Sequence, residues 1–155
     1  MNLIMEFAYM KNMLIKIIAV GRVKDPHYLA KINEFLTRLG SFGKVELVEL
    51  KDDTVDKESA AILKTLQGER GFVIVLDERG ENVTSTEFAA KLGKCDCKIV
   101  LVIGGAFGFT DEVRARADWL LALSKMTVTH EMARLWLVEQ LYRAGTILAG
   151  KKYHH

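Results

Sequence analysis

A chain of 155 residues, half of them apolar, is long enough to bury one substantial core. A formal net charge of +2 excludes nucleic-acid binding argued from bulk charge alone, and one proline with no Gly/Ser-rich or single-sign charged run leaves no place to divide the chain. The charge is uneven: from Leu121 onward, Lys125, Arg134, Arg143, Lys151 and Lys152 outnumber Glu131 and Glu139 to give +3, a pattern that a solvated face also produces.

The opening MNLIMEFAYMKNM lacks a basic leader, a long apolar centre and a small-residue cleavage site, so it does not read as a secretory signal, and it is too short to span a bilayer. Met13 directly precedes the first convincing strand. Residues 1–12 are therefore expected to be an extension or a misassigned start, and residues 13–155 a single domain.

LIKIIAV (14–20) reads as the first strand, ended by Gly21. In HYLAKINEFLTRLG, the spacing of Tyr28, Leu29, Ile32, Phe35, Leu36 and Leu39 predicts a helix closed by Gly40, with His27 at its start. KVELVEL (44–50) alternates as a less completely covered strand does, and residues 59–66 give a short helix. FVIVL (72–76) and KIVLVI (98–103) are almost unbroken apolar runs, as expected when helices cover both faces of a parallel sheet. Between them STEFAAKLG opens on helix-capping Ser and Thr and closes on Gly93. Thr110-Asp111-Glu112 reads as a helix start with a capping hydroxyl and two carboxylates at the positive end of the dipole, and WLLALS (119–124) as a brief strand. The alternation predicts an α/β domain with a mostly parallel sheet covered by helices.

The last long element, about 129–148, has apolar residues around nearly its whole circumference, among them Met132, Leu135, Trp136, Leu137, Val138, Leu141, Tyr142 and Ile147. Such a helix must be surrounded by protein, and one sheet face cannot do that alone. A second subunit or a threaded loop is expected to cover it. Gly145 inside this helix costs about 1 kcal/mol relative to alanine, which points to a close contact there.

Cys95 and Cys97 flank a single residue. A disulfide across that gap would be strained and a metal site needs more ligands, so free thiols in a reducing cytoplasm, and no metal, are expected.

The chemistry is concentrated in IGGAFGF (103–109). A glycine pair at the carboxyl end of a parallel strand lets backbone approach a ligand, and ligands of open α/β sheets gather at that edge. The motif matches neither the dinucleotide fingerprint nor a phosphate loop, and a ligand-free tight turn would use the same glycines.

Three segments read together are more specific. VLDERG (75–80), IGGAFGF, and LALSKMTVTHEMARLWLVEQLYRAG (121–145), followed by Tyr153-His154-His155, resemble the ribosomal RNA large subunit methyltransferase H family of the knotted SPOUT methyltransferases. The resemblance runs from about Met13 to the end and is sharpest in LSKMT, EQLYRA and the Tyr-His tail. It implies a SPOUT-type fold with a deep trefoil knot near the carboxyl end, a homodimer, and S-adenosylmethionine-dependent methylation of ring nitrogen 3 of a pseudouridine in large-subunit (23S-type) ribosomal RNA, in the cytoplasm. The cofactor would contact Leu76, Gly104, Gly105, Leu123, Ser124, Lys125, Met126, Thr127 and Val128. In that family the tail of the opposite subunit lies beside the cofactor, which makes His154 a base or a hydrogen-bond partner of the uridine edge, and Tyr153 a group that stacks on or bonds the base.

Four departures accompany the resemblance. Thr129 stands where the family has proline before His130 and is expected to cap the last helix instead. Ala106 and Phe109 replace proline or serine and leucine. The tail ends in histidine where the family has arginine or lysine, unless Lys151 or Lys152 substitutes. The altered tail leaves open a non-catalytic RNA-binding assembly protein, and a methyltransferase acting on transfer RNA is a further reading.

Overall fold

The computed structural model describes residues 13–155; the extension expected over 1–12 lies outside the described residues. Ten elements alternate: β1 (Met13–Val20), α1 (Pro26–Leu39), β2 (Gly43–Leu50), α2 (Val55–Leu66), β3 (Phe72–Asn82), α3 (Ser85–Gly93), β4 (Ile99–Ile103), α4 (Asp111–Arg116), β5 (Trp119–Ala122) and α5 (His130–Leu148). The five strands form one sheet in the order β2-β1-β4-β3-β5, every pair parallel. The α/β architecture expected from the alternating runs is the observed one.

The period-2 geometry of the strands sorts the apolar runs onto two faces. Ile15, Ile17, Ala19, Ile74, Ile99, Leu101 and Ile103 join Ile32, Phe35, Phe88, Leu137 and Leu141 in the larger core, with α5 lying between α1 and α3. Ile18, Val20, Val73, Val75, Val100 and Val102 face the other way, onto Ile62, Leu66 and Val113 of α2 and α4. β4, central and covered on both sides, is buried at every position, whereas edge strand β2 has only half-buried and exposed residues. No described helix is long and apolar enough to cross a membrane.

Several boundaries differ from the sequence reading for local reasons. Helix α2 begins four residues earlier than expected, capped by Thr54, whose hydroxyl accepts from the Lys57 N–H; its polar first turn hid it from a search for apolar periodicity. In α3 the cap is Thr84, in a reciprocal box with Glu87, while Ser85 instead donates to Gln140. Thr110 occupies the N-cap position of α4 without capping it: its hydroxyl is buried with no partner, and its N–H donates to Ser59. Strand β5 stops at Ala122, leaving Leu123 and Ser124 in the following loop.

β3 runs on to Asn82 through a bulge. Both Leu76 and Glu81 pair with Leu121, so residues 77–80 are extruded from the ladder. A Cβ on Gly80 would lie 2.6 Å from the backbone of Leu120 and Leu121, so only glycine lets the extruded segment close against β5. In α5, a Cβ on Gly145 would meet the Phe42 ring at 2.6 Å, which is the close contact the mid-helix glycine suggested.

Candidate active site

A parallel sheet delivers all its strand ends to one edge, and a cleft of about 650 Å³ opens there. Three walls form it: the β3 bulge (Leu76–Arg79), the loop after β4 (Gly104–Phe109), and the loop between β5 and α5 (Leu123–Thr129). Leu76, Gly104, Gly105, Leu123, Ser124, Met126, Thr127 and Val128 all line it. Lys125, the remaining residue of the expected set, is exposed and outside the lining.

The glycines are required for a reason the sequence did not give. The Cβ direction of Gly104 is filled by the Phe109 ring at 2.8 Å, and that of Gly105 by the buried Glu58 carboxylate at 2.8 Å. The loop's own packing behind the cleft therefore excludes side chains, and bare backbone is left facing inward. Gly108 has φ +80°, a left-handed conformation suited to glycine, and its N–H donates to the Gly105 carbonyl to close the turn. At the rim, Phe107 and Met126 are 84% and 79% exposed.

The charged groups are ordered. Asp77, its side chain 4% exposed, accepts from Arg114 Nε at 2.7 Å and from the Arg79 N–H at 2.8 Å. Arg114 Nη1 also pairs with Asp111 at 3.1 Å. The hydrogen bond to Asp77 holds the Arg114 guanidinium protonated more firmly than usual, burial opposing it only in part. Across the mouth, Thr127 Oγ1 donates to Glu78 Oε2 at 2.7 Å, tying the first wall to the third. Ser124 Oγ accepts the Met126 N–H at 3.0 Å and shapes the third loop from within.

His130 is the first residue of α5 and lines the cleft. Thr129 caps the helix as expected, accepting the Met132 N–H at 3.3 Å. The next turn is anchored to the loop after β1. Glu131 accepts the Lys24 and Asp25 N–H groups, and buried Arg134 bonds Glu49 at 2.6 Å and the Gly21 carbonyl at 2.7 Å.

The tail lies elsewhere. Tyr153 and His154 do not line the cleft of their own chain; they fold back along α5 onto Glu139, Tyr142 and Arg143. Tyr153 packs edge-on against Tyr142, sits under the Arg143 guanidinium, and donates its O–H to Glu139 at 3.1 Å. Burial first, and then the Glu139 charge, push the Tyr153 phenol up. Arg143 pairs with Glu139 at 2.6 Å and meets His154 Nδ1 at 3.2 Å. Lys151 stands over the Phe42 ring. Among the described residues no three His, Cys, Asp or Glu gather to hold a metal ion.

Residues 13–154 match the family described as "Predicted SPOUT methyltransferase". Ribosomal RNA large subunit methyltransferase H of Geobacter metallireducens is 40% identical over 155 residues, covering 92% of this chain and 99% of that protein. The protein of the same name from Anaeromyxobacter sp. strain Fw109-5 is 44% identical over 153 residues, with the same two coverages. The chain belongs to this SPOUT methyltransferase family. Its fold is shared by a probable methylase family protein from Haemophilus influenzae Rd KW20, at TM-score 0.58 and 16% identity over 91% of this chain and 70% of that one. The tRNA (m1G37) methyltransferase of Aquifex aeolicus aligns at TM-score 0.53 and 16% identity over 85% and 70% of the two chains.

SPOUT methyltransferases use S-adenosylmethionine, and the cleft fits that molecule. Its volume lies within the few hundred to about 1,000 Å³ usual for small-molecule sites. Leu76, Leu123 and Val128 offer apolar walls for a purine, and the exposed backbone of the glycine turn offers N–H and C=O groups for its edges. The sequence singled out the three loops but missed Asp77 and Arg114. Asp77 follows immediately after Leu76, but the partner that orders it is 37 residues away.

Proposed function

We propose that this protein is a homodimeric methyltransferase that transfers the methyl group of S-adenosylmethionine to N3 of a pseudouridine in large-subunit ribosomal RNA, acting in the cytoplasm. The observation that carries this reading is the convergence of three loops, distant in sequence, on one cleft lined by all but one of the residues assigned to the cofactor. Relatives named for ribosomal RNA methylation, about 40% identical over nearly their whole length, support the substrate class.

When bound, the cofactor supplies an electrophilic methyl group on its sulfonium. The protein's work is then to hold the acceptor nitrogen in line and to manage its proton. A dimer supplies the means, with the tail of one protomer beside the cleft of its partner. Support for the dimer comes from α5, whose outer side leaves Met132 exposed and Leu135 and Trp136 half-buried in the single chain. The knot is carried by the family resemblance.

Within the tail the chemistry is constrained. Arginine only donates, so the contact from Arg143 Nη1 makes His154 Nδ1 the acceptor. The neutral ring then carries its proton on Nε2 and presents a donor. His154 is thereby suited to hydrogen-bond a carbonyl oxygen on the uridine edge, stabilising the charge that gathers there as the N3 proton passes to solvent water. Tyr153, neutral and fixed by Glu139, forms the wall against which the base packs.

The test is methyl transfer from labelled S-adenosylmethionine to ribosomes, free ribosomal RNA and transfer RNA, with the wild type and His154→Ala. Label is expected in large-subunit RNA as N3-methylpseudouridine. The variant should bind S-adenosylmethionine as the wild type does and lose about 100-fold in turnover. Full activity of the variant would remove the tail from the mechanism. Binding of the cofactor with no label in any RNA would favour an assembly protein, and label in transfer RNA alone would change the substrate.

A further inference from the structure

The loop after β4 turns back at Gly108, where the Cβ position lies 3.8 Å from Arg114 Nη2. Arg114 itself lines the cleft and is one-fifth exposed. Two of its three nitrogens are occupied, Nε by the buried Asp77 carboxylate and Nη1 by Asp111. These contacts fix the guanidinium plane from behind and from one side. Nη2 makes no hydrogen bond among the described residues, and it is not sealed off from solvent. Asp111, at 93% side-chain exposure, is a screened partner that water can replace. The guanidinium thus keeps one edge free in the cleft, whose other charged groups are the acidic Asp77 and Glu78 and the cation Arg79; Arg79 is exposed and no contact among the described residues fixes its guanidinium, so Arg114 is the one held in place.

A planar fork with free N–H groups is the usual partner of a carboxylate, and Asp77 provides the bracing that makes its position definite. S-adenosylmethionine carries one anionic group, the α-carboxylate of its methionine arm. The geometry points to Arg114 as the residue that holds this carboxylate, at the Gly108 turn, through its free Nη2 edge. This rests on the cofactor occupying the cleft, as proposed above. The Gly108 turn and the guanidinium lie side by side, a Cβ at Gly108 being in ordinary contact with Nη2 at 3.8 Å. The assignment also gives Asp77 a role through Arg114, as a positioning residue that never touches the cofactor carboxylate itself.

The experiment compares two nucleosides that share adenosine and sulfur but differ in the amino-acid arm. Titration calorimetry of the full chain, without RNA, gives the affinities of S-adenosylhomocysteine and of 5′-methylthioadenosine, which has no carboxylate. Replacing Arg114 with methionine (Arg114→Met) is expected to weaken S-adenosylhomocysteine about tenfold, the range of one charge-assisted hydrogen bond, and to leave 5′-methylthioadenosine unchanged. Arg114→Lys keeps a cation for Asp77 but not the fork, so it folds even if the methionine variant does not, and shifts the same ratio in the same direction by a smaller factor. An equal fall for both nucleosides would assign Arg114 to holding the loop and overturn the inference. Unchanged affinity for both, with weaker RNA binding, would assign the guanidinium to an RNA phosphate and overturn it too. Failure of the wild type to bind either nucleoside would instead remove the cofactor from the cleft, and this inference with it.

Discussion

The two ends of the sheet solve opposite problems. Where β3 and β4 begin, polar groups close on one another: Glu69 bonds Lys16 at 3.0 Å and Lys98 at 3.3 Å, Arg116 donates to the Glu69 carbonyl, and Asp118 accepts the Val73 N–H. Where the strands finish, loops leave the ladder and surround a hollow, with apolar Phe107 and Met126 standing in solvent. The first end is satisfied within the chain; the second leaves a fixed guanidinium edge, bare glycine backbone and a rim that the chain does not fill. In a parallel sheet this asymmetry follows from direction alone, because every crossover must climb from a strand's carboxyl end. Binding is thus confined to the second end.

Mutations should respect that separation, and a failure to do so would break it. The largest stability effect is expected from Gly80→Ala. The new Cβ would meet rigid backbone at 2.6 Å in the β3 bulge, with a loss of about 2–3 kcal/mol in chemical denaturation. S-adenosylmethionine affinity should fall with it, since the bulge is a wall of the cleft; retention of full affinity would show that the bulge does not set the site. At the opposite end, Glu69→Gln should lower stability by about 1 kcal/mol at neutral pH while leaving cofactor affinity untouched. The sign of its pH dependence is definite. Hydrogen bonding from Lys16, opposed in part by burial and reinforced by Lys98, holds the Glu69 carboxyl below its ordinary value. Its contribution is therefore present above the unfolded-state pKa and lost as pH falls through the lower folded value, so wild type and variant should converge in urea titrations at acid pH. A gap that persists there would indicate packing, not charge. The smallest effect is expected from Thr127→Val, which removes the hydrogen bond to Glu78 across the mouth. Both groups are exposed, so stability should change by less than about 0.5 kcal/mol, with cofactor affinity falling about threefold.

The same division governs what could be read from sequence. Unbroken apolar runs announced β3 and β4, since a doubly covered parallel strand has no polar face to interrupt it, and the glycine pair after β4 marked the edge where ligands gather. Residues joined only by the fold were silent. Asp77 and Arg114 look like ordinary surface charges until the bulge and α4 bring them together. Gly104 looked like clearance for a ligand, whereas its Cβ direction is taken by Phe109, only five positions along but folded back beneath it. Ser85 carried a capping signal that tertiary hydrogen bonding redirected to Gln140, and Thr110 one whose hydroxyl is buried without a partner while its N–H donates to Ser59. The extruded residues 77–80 were illegible as strand because a bulge has no alternation to detect.

The central claim is that the space between Leu76, Gly104 and Thr127 holds the methyl donor. A crystal structure of the full chain grown with S-adenosylhomocysteine tests it most directly. The account predicts the nucleoside in that space, its adenine against Leu76, Leu123 and Val128. Density for it at any other surface, or side chains closing the cleft with the ligand present in solution at saturating concentration, would contradict the account.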